Sequence, residues 1–422
     1  MNVVLERVAN TLIRSFDSGP GLGRGPVAQD VAHTEAKGRP ERAKRVEGRR
    51  QWSPGLARGA PQERLSREDG LALFETNDLL GLGRLANQVK QARWASRAHF
   101  VINRQINPTN VCVLSCRFCD FATKRGRPNA YEMTLHEILS RCDSGIREVH
   151  IVGGLHPDWP WSYYVEMLKA IKTNFPQVQI KAFTAVEIEF FSKKFRLSIE
   201  EVLRQLKAVG LDALPGGGAE VFSERVRKAL FPFKIGAPRW IEIHKTAHRL
   251  GIPTNSTLLY GHIETHQERV DHMLKLRDLQ DETGGLMSFI PLAYQVGKTR
   301  VVERQASAIE DLRTIAIARL LLDNVPHIKA YWVTMGEEIA SIALKFGADD
   351  IDGTIGEERI MHAADAATPI RQTRERLIQL IRDAGCVPVE RDALYNVIEV
   401  FENGPTTCLP RRQVETQHVG PP

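Results

Sequence analysis

Three cysteines that could bind a metal lie within eight residues of one another. Cys112, Cys116 and Cys119 form a CxxxCxxC pattern, and Phe118 precedes the last cysteine. Thiolates are soft anionic ligands for iron, and a short loop can wrap one corner of an iron–sulfur cube. Three thiolates bind three irons of a [4Fe–4S] cluster and leave the fourth iron open. An open iron can chelate the amino and carboxylate groups of S-adenosylmethionine (SAM), which places the sulfonium beside an electron source.

Zinc binding and simple packing are the two other uses of such cysteines. A structural zinc site takes four ligands, normally in two CxxC-like pairs. The nearest further candidates, His136 and Cys142, fall in a predicted helix without matching spacing. The third cysteine of the motif therefore favours a cluster. Cys142, Cys386 and Cys408 stand alone and are predicted to be packing or surface thiols. Six unevenly spaced cysteines without an export signal indicate a reducing, cytoplasmic setting.

Two glycine-rich turns follow other predicted strands. Gly153-Gly154 comes after the second strand, and the run Pro215–Glu220 comes after the fourth. Without a Cβ atom the backbone can approach a ligand closely and can adopt positive φ. The GxGxxG and GxxxxGK[ST] spacings of phosphate-binding loops are absent. The residues expected to contact a substrate or the adenosyl group are Gly216, Gly217 and Gly218.

Three acidic residues follow predicted strands and could accept hydrogen bonds from ribose hydroxyls. They are Glu187 after the third strand, Glu220 after the fourth and Glu264 after the fifth. A carboxylate in a loop is also an ordinary solvated group, so the sequence leaves this second interpretation open.

Short apolar, β-branched runs alternate with amphipathic helices from Ala98 onward, which indicates repeated βα units. Eight such units over roughly 290 residues favour an α/β fold, a (β/α)8 TIM-type barrel, with an open doubly wound sheet as the alternative. On a barrel the residues that follow each strand face the active site. The predicted strands are Phe100–Ile106, Glu148–Val152, Gln179–Phe183, Leu211–Leu214, Thr254–Tyr260, Leu286–Pro291, His327–Trp332 and Asp349–Ile351.

The positive charge of the chain is concentrated near its N-terminus. The formal net charge is +6, and residues 18–60 carry +5 of it together with eight Gly and four Pro. That segment holds too little apolar surface to offset the entropy of ordering, so a disordered tail is favoured over an RNA-binding arm. No run approaches the ~20 apolar residues of a membrane-spanning helix. The predicted divisions are a disordered basic tail (1–62), helices that pack on the barrel (63–97), the barrel (98–400) and a disordered C-terminal tail (401–422).

The cysteine pattern with its preceding aromatic residue resembles that of the radical SAM enzymes. From about Ser66 to Val400 the chain also resembles the aminodeoxyfutalosine synthases of the futalosine route to menaquinone. Their siblings, the dehypoxanthine futalosine cyclases and the deazaflavin (FO) synthase subunits, share the cysteine motif and part of the glycine pattern and remain the alternative. The basic tail departs from the family pattern, which begins near Ser66. The runs that carry the resemblance are Ile106–Cys112, Val152–Pro157, Leu214–Glu220, Tyr260–Thr265, Asp323–Lys329 and Pro388–Asp392.

The resemblance implies a radical SAM barrel with a [4Fe–4S] cluster on the three cysteines. It implies that the backbone at Gly153 and Gly154 holds the methionine amine of SAM. The family substrate, 3-[(1-carboxyvinyl)oxy]benzoate, carries two carboxylates, so cations should face the barrel mouth. Arg104 and Lys329 fit this role if they point inward, and His262 could add a hydrogen-bond donor.

The implied reaction is the addition of the 5′-deoxyadenosyl radical of SAM to the enol ether of that substrate. It gives 6-amino-6-deoxyfutalosine, methionine and bicarbonate, so SAM is a co-substrate. An electron donor such as flavodoxin or ferredoxin is expected, with no nucleic-acid or membrane partner. Two functions of other classes stay open, a zinc-dependent barrel hydrolase and a nucleic-acid-binding protein that uses residues 18–60.

Overall fold

Strands and helices alternate along most of the chain in the computed structural model, which describes residues 3–17 and 64–402. The strands in these residues are β1 (Arg97–Val101), β2 (Asn103–Ile106), β3 (Glu148–Ile151), β4 (Gln179–Ala182), β5 (Leu211–Ala213), β6 (Thr254–Tyr260), β7 (Leu286–Ala293), β8 (His327–Ile328), β9 (Asp350–Gly353), β10 (Val387–Arg391) and β11 (Val397–Val400).

The helices of the same residues fall between and before these strands. They are α1 (Val3–Asp17), α2 (Arg67–Glu75), α3 (Leu79–Trp94), α4 (Leu135–Leu139), α5 (Trp161–Asn174), α6 (Ala185–Phe195), α7 (Ile199–Ala208), α8 (Glu224–Leu230), α9 (Ala237–Arg249), α10 (His266–Thr283), α11 (Ala308–Leu321), α12 (Trp332–Met335), α13 (Glu337–Ala343), α14 (Ile360–Ala363) and α15 (Arg374–Asp383).

The parallel strands close into a barrel. β2 to β5 pair in chain order, as do β6 to β8, and β9 pairs with β1. Single bridges between Leu214 and Thr254 and between Lys329 and Asp350 join these groups. β1 and β2 are one strand interrupted at Ile102, so they count as the first of eight barrel strands. The predicted (β/α)8 barrel is confirmed, and the predicted strands are found with ends that differ by a few residues.

The C-terminal strands close the barrel at its N-terminal end, which the sequence did not predict. β10 pairs in parallel with β1, and β11 pairs with β10. The residues after β10 contact the first residues of barrel strands: Gln179 binds Asp392 at 2.9 Å, and Tyr395 stacks on His327 with ring centroids 3.7 Å apart. The guanidinium of the buried Arg391 donates to Asp350 at 2.6 Å inside the barrel.

The N-terminal residues include an ordered helix. Val3–Asp17 forms α1, whose Leu5 and Val8 are buried in the core. The predicted disorder of residues 1–62 is therefore wrong for α1, because an apolar face of this helix finds a partner in α2 and α3. Residues 18–63 and 403–422 lie outside the described residues, and the predicted tails there stay predictions.

None of the helices in residues 3–17 and 64–402 has the length and apolar content needed to cross a membrane. His244 and His248 lie four residues apart on α9, and as polar residues on one helix face they are predicted to lie on the surface. They face inward instead, and both contact the hydroxyl of Thr254, at 2.8 and 2.9 Å. A histidine can satisfy its ring nitrogens inside the protein, so helix periodicity alone places it wrongly.

The Arg391–Asp350 pair provides a test of the closed barrel floor. Arg391→Met leaves the Asp350 carboxylate buried without its cation, so we expect a loss of about 3–5 kcal/mol in the free energy of unfolding. Arg391→Met with Asp350→Asn should recover part of that loss, and Arg371→Met on the surface should change it little. Urea unfolding followed by circular dichroism measures these differences, and an unchanged midpoint for Arg391→Met would contradict the assignment.

Candidate active site

The cysteine loop, residues 112–119, follows the carboxyl end of β2 at the mouth of the barrel. Its three cysteines are half-buried free thiols. Three backbone hydrogen bonds fix the loop to its neighbours, and the first runs from the N–H of Cys112 to the carbonyl of Thr123 at 2.9 Å. The N–H of Val113 donates to the carbonyl of Leu155 at 3.0 Å, and the N–H of Arg117 donates to the carbonyl of Leu230 at 2.7 Å. The loop is therefore held between the segment after β3 and the end of α8.

A lysine just beyond the loop fixes its first half. The ammonium of Lys124 donates to the carbonyl oxygens of Cys112, Val113 and Leu114 at 2.9, 3.0 and 2.8 Å. An ammonium group has three N–H donors, so three successive carbonyls use all of them. No sequence signal indicates this role, since no residue spacing marks a lysine whose partners are backbone atoms.

The charges around the thiols fit a metal site. Burial raises the pKa of Cys116 to about 11 and also raises that of Cys119, while the Lys234 ammonium opposes both shifts. Iron binds the thiolate, so binding releases these protons. Cys116 and Cys119 line an open cavity of about 370 Å³. Three free thiols in one loop beside an open cavity fit a [4Fe–4S] cluster with three cysteine ligands.

A half-buried ion pair lies next to the cysteine loop. Lys234 donates to Glu220 at 2.6 Å, and its ammonium lies 5.0 Å from the ring centroid of Phe118. Burial alone would lower the pKa of Lys234. The negative charges of Glu220 and the Cys116 thiolate outweigh that effect, so the pKa lies above its ordinary value. Glu220 is thus brought to the site as predicted, whereas Lys234, in a loop with no motif of its own, was missed.

Gly153 and Gly154 pack directly against the chain that leads into the cysteine loop. A Cβ atom on Gly154 would lie 2.2 Å from the carbonyl oxygen of Val111, and one on Gly153 would lie 3.1 Å from that of Thr109. The N–H of Gly154 donates to the same Thr109 oxygen at 2.8 Å. These glycines are needed for the close approach of two backbone segments, in addition to any contact with a ligand.

Glu187 links this glycine pair to α6. Its carboxylate accepts hydrogen bonds from the N–H and hydroxyl of Thr184 at 2.7 and 2.8 Å and from the N–H of Gly153 at 3.2 Å. Burial raises the pKa of Glu187 to about 7 despite these donors. Both carboxylate oxygens are engaged within the protein, so the predicted contact of Glu187 with a ribose is not what its geometry favours.

The glycines after β5 also pack on backbone. A Cβ atom on Gly216 would lie 2.5 Å from the Cα of Ser256 in β6, and one on Gly217 would lie 3.1 Å from the Thr184 side chain. Gly218 has φ +84°, a conformation that residues with a side chain rarely adopt. The run of three glycines therefore lets this loop pass between β6 and the start of α6.

Glu264 and His262 form a closed network after β6. Glu264 accepts hydrogen bonds from the N–H groups of Gly261 and His262 and from the Arg269 guanidinium at 2.8 Å. Burial would raise the pKa of Glu264, yet the hydrogen bond from His262 and the charge of Arg269 hold it at about 2. The His262 ring contacts the carbonyl of Leu259 at 3.1 Å. Both side chains are occupied by the loop and by Arg269 of α10, so this geometry favours a supporting role, and the predicted ligand contacts of Glu264 and His262 stay predictions.

The two predicted cations point in opposite directions. Arg104 binds Asp143 at 3.1 Å on the outside of the barrel, so the prediction that it faces the mouth is wrong. Strand alternation explains this result, since its neighbours Asn103 and Gln105 face inward. Lys329 is buried inside the barrel and donates to Asp352 at 3.2 Å.

A row of polar side chains that the sequence did not reveal crosses the barrel lumen. Gln105, His150 and Lys181 occupy paired positions on β2, β3 and β4. Lys181 donates to Glu148 at 2.7 Å, and Gln105 donates to the Tyr331 hydroxyl at 2.8 Å. The sequence signal for this row is the presence of polar residues at alternate positions of otherwise apolar strands.

One member of this polar row has an unused nitrogen. The Nε2 atom of His150 is buried and has no hydrogen-bond partner among the described residues. Burial lowers the pKa of His150 to about 3, and the positive charge of Lys181 is the second cause of this shift. His150 is therefore a neutral imidazole that can exchange one hydrogen bond with a molecule in the lumen.

The opposite wall of the lumen is apolar. Leu259 and Leu292 are paired on β6 and β7, one layer nearer the mouth than Ile290. Tyr260 bonds Asp311 of α11 on the outside, so its neighbour Leu259 faces inward. Nearer the floor the same face carries Asn255 and Ser288, which bond each other at 3.0 Å. Toward the mouth the lumen thus has one polar wall and one apolar wall, an arrangement suited to a small aromatic molecule with a charged substituent.

The chain matches two family models that together span the barrel. Residues 106–276 match the radical SAM superfamily, and residues 283–404 match the CofH/MqnC C-terminal region. Among solved structures it is similar to methylornithine synthase, with TM-score 0.61 and 18% identity, over 78% of this chain and 95% of that one. That likeness supports the fold.

Curated relatives extend over most of the chain. It is 48% identical to an aminodeoxyfutalosine synthase of Thermus thermophilus, over 81% of this chain and 94% of the relative, and 46% identical to one of Streptomyces coelicolor, over 81% and 92%. It is 40% identical to a cyclic dehypoxanthine futalosine synthase of Streptomyces coelicolor, over 83% and 90%. The chain therefore belongs to the radical SAM superfamily of enzymes, in the group that contains the aminodeoxyfutalosine synthases.

Proposed function

We propose that this enzyme converts 3-[(1-carboxyvinyl)oxy]benzoate, SAM and water to 6-amino-6-deoxyfutalosine, methionine and bicarbonate. The observation that carries the proposal is 48% identity across 94% of an aminodeoxyfutalosine synthase, against 40% for the cyclic dehypoxanthine futalosine synthase. Once the one proton that is released is counted, both sides of the reaction are closed-shell and contain the same atoms, so no net electron is consumed. A single electron therefore starts the chemistry and is recovered when the carboxylate is lost.

Radical SAM enzymes use a [4Fe–4S] cluster, which supplies the electron that cleaves the C5′–S bond of SAM. In this chain Cys112, Cys116 and Cys119 are its proposed ligands. Lys124 holds the carbonyls of the first half of their loop, and Gly154 allows the loop to lie against the segment after β3. These residues supply the rigid frame in which three thiolates converge.

The groups proposed to contact SAM lie at the ends of the neighbouring strands. The backbone carbonyls of Gly153 and Gly154, which accept no backbone hydrogen bond from the part of the chain that the structure describes, are the proposed acceptors for the methionine amine. Glu220, with Lys234 beside it at 2.6 Å, is the proposed acceptor for ribose hydroxyls. Glu187 fixes the N–H of Gly153 and is proposed as a positioning residue, and Glu264 with His262 as a support for the loop after β6.

The lumen is the proposed substrate site. The benzoate ring would lie against Leu259, Ile290 and Leu292, and a carboxylate would accept from His150 Nε2 and the Lys181 ammonium. Burial in a site of low dielectric strengthens such a charged hydrogen bond. Lys329 is a further proposed cation on the same polar wall. The loops over the mouth would exclude water from the radical.

An electron donor of the flavodoxin or ferredoxin type is proposed to reduce the cluster. A zinc-dependent hydrolase and a nucleic-acid-binding protein have no support in the family matches, and the sibling radical SAM activities are outcomes of the following assay.

The proposed reaction is tested by an anaerobic assay of the reconstituted enzyme. With SAM, reductant and 3-[(1-carboxyvinyl)oxy]benzoate, we expect mass spectrometry to detect aminodeoxyfutalosine and methionine in equal amounts. Cys116→Ser should abolish the product, because one cluster ligand is lost, while the matched Cys142→Ser outside the loop should retain it. Release of 5′-deoxyadenosine as the sole nucleoside product would overturn the addition reaction and point to a sibling activity.

The role of Lys124 is tested by iron content. Lys124→Met removes all three hydrogen bonds to the loop carbonyls, so we expect reconstitution to give less than half of the parent iron and absorbance near 400 nm. Arg125→Met, an exposed neighbour whose guanidinium bonds Asp158 instead, serves as the control. Parent-like iron content in Lys124→Met would contradict the role proposed for this lysine.

The polar wall is tested by substrate binding to the unreduced enzyme in the presence of SAM. Lys181→Met with Glu148→Gln removes the buried pair without leaving a lone charge, and we expect the substrate Kd from calorimetry to rise at least about tenfold. His150→Phe should weaken binding similarly. Arg104→Met, on the outer face of the same barrel, should leave the Kd unchanged; a rise there, or none in the lumen variants, would remove the assignment.

A further inference from the structure

The solvent face around the cysteine loop combines exposed apolar side chains with unpaired cations. Val113 in the loop is 43% exposed and Phe233, just after α8, is 72% exposed. Arg117, Arg127 and Lys228 are exposed and have no ion pair among the described residues. Single exposed apolar side chains are ordinary on a protein surface, so these two carry meaning through the unpaired cations that accompany them at the cysteine loop.

These side chains belong to two segments that the structure joins, the cysteine loop with the residues just after it and the end of α8. The backbone bond between Arg117 and Leu230 joins the cysteine loop to α8, and the rings of Phe118 and Phe231 lie 5.9 Å apart. Lys228 and Phe233 flank that junction on either side along the chain. Arg127 lines the same cavity as Cys116 and Cys119. We call this surface, made of Val113, Arg117, Arg127, Lys228 and Phe233, the loop face.

The charge of the loop face is local. Residues 113–128 contain four cations and one acid, Asp120. The Asp120 carboxylate is turned to the loop after β7, where it accepts from the N–H of Lys298 at 3.1 Å. Arg125 is paired with Asp158, so it is not one of the free cations. The surface nearest the thiols is therefore positive, although most of the net charge of the chain belongs to residues 18–60.

We propose that the loop face is the docking site of an acidic one-electron carrier protein. This inference rests on the proposed function, which requires an electron to reach the ligands Cys116 and Cys119. Electron-transfer complexes are small and short-lived, so a few apolar contacts within a rim of cations suffice. Opposite charge on the carrier steers it to this face and raises the association rate. The exposed Val113 and Phe233 favour a protein partner over a nucleic acid, whose backbone calls for cations alone.

The carrier transfers one electron to the bound cluster, so the cluster is reduced by one electron and the carrier is oxidised by one electron. The measurement is therefore the rate of cluster reduction, followed by stopped flow near 400 nm with the holoenzyme under anaerobic conditions. Reduced flavodoxin is the acidic probe, and reduced methyl viologen, a small cation, is the comparison. Arg117→Glu and Arg127→Glu reverse charges on the loop face, and Phe233→Ser removes its largest apolar group. Lys169→Glu, exposed on α5, is the matched control.

With flavodoxin at low ionic strength, we expect the second-order rate constant to fall about tenfold or more for each charge reversal, and severalfold for Phe233→Ser. The difference should shrink in high salt, because salt screens exposed charges. Methyl viologen rates for the charge reversals should equal or exceed the parent rate, because a carboxylate on the loop face attracts this cation, and the Lys169→Glu rates should match the parent with both reductants. Equal slowing with both reductants, or no slowing with flavodoxin, would overturn the proposal. Weakened binding of a single-stranded oligonucleotide with unchanged flavodoxin rates would overturn it in favour of nucleic acid.

This experiment is independent of the reaction product. If the loop-face variants slow reduction by flavodoxin but the assay yields only 5′-deoxyadenosine, the docking site stands and the proposed reaction fails. If the product is aminodeoxyfutalosine and the reduction rates are unchanged, the reaction stands and the docking site fails.

Discussion

The backbone of Gly154 lies so close to the carbonyl of Val111 that no side chain fits between them, and the cysteine loop depends on this contact. The separation that a Cβ atom would have, 2.2 Å, is far below any van der Waals distance. The contact brings the ends of β2 and β3 together at the point where the cysteines begin. Glu187 fixes one side of this junction by accepting a hydrogen bond from the N–H of Gly153. Lys124 fixes the other side by donating to the loop carbonyls that begin at Cys112. The site is thus organised by backbone packing, and side chains with reactive groups are added to a frame that is already set.

A second constraint acts inside the barrel, where charged groups must be paired. Lys181 with Glu148, Lys329 with Asp352 and Arg391 with Asp350 are three cation–carboxylate pairs in one lumen. Each buried ion would cost several kcal/mol without its partner. The pairs therefore allow a polar wall to exist opposite an apolar one. The charges hold one another in position, so that a neutral histidine between them remains available for a ligand.

Much of the fold could be predicted from the sequence because repeated βα units carry strong local signals. Thr134, Ser198 and Thr265 are each followed three residues later by a glutamate, a pattern that predicts a helix start, and each begins a helix with a capping box. Ser307 has the same pattern, but there only the serine side chain caps the helix. The direction of side chains was harder to predict. Arg104 and Gln105 differ by one position and face opposite sides of the barrel, and no local signal fixes that register.

The site residues divide in the same way. The cysteines and the glycines follow from chemistry that needs those residue types at that spacing. Lys124, Lys234 and Lys181 were missed because a lysine is common on surfaces, and only the folded chain shows that its ammonium is surrounded. Glu264 and His262 were predicted as ligand contacts because they follow a strand, but their partners in the loop and on α10 occupy them.

The interruption of the first strand at Ile102 ties the two ends of the barrel to one stretch of backbone. β1 pairs with strands of the C-terminal region, and β2, a few residues later, leads into the cysteine loop. The boundary between the two matched regions, near residue 280, therefore divides the sequence but not the molecule. The radical SAM segment alone would lack the strands that complete its circle and the side chains that fill its floor. The two matched regions therefore form one barrel, in which β10 of the C-terminal region pairs with the strand that leads into the cysteine loop.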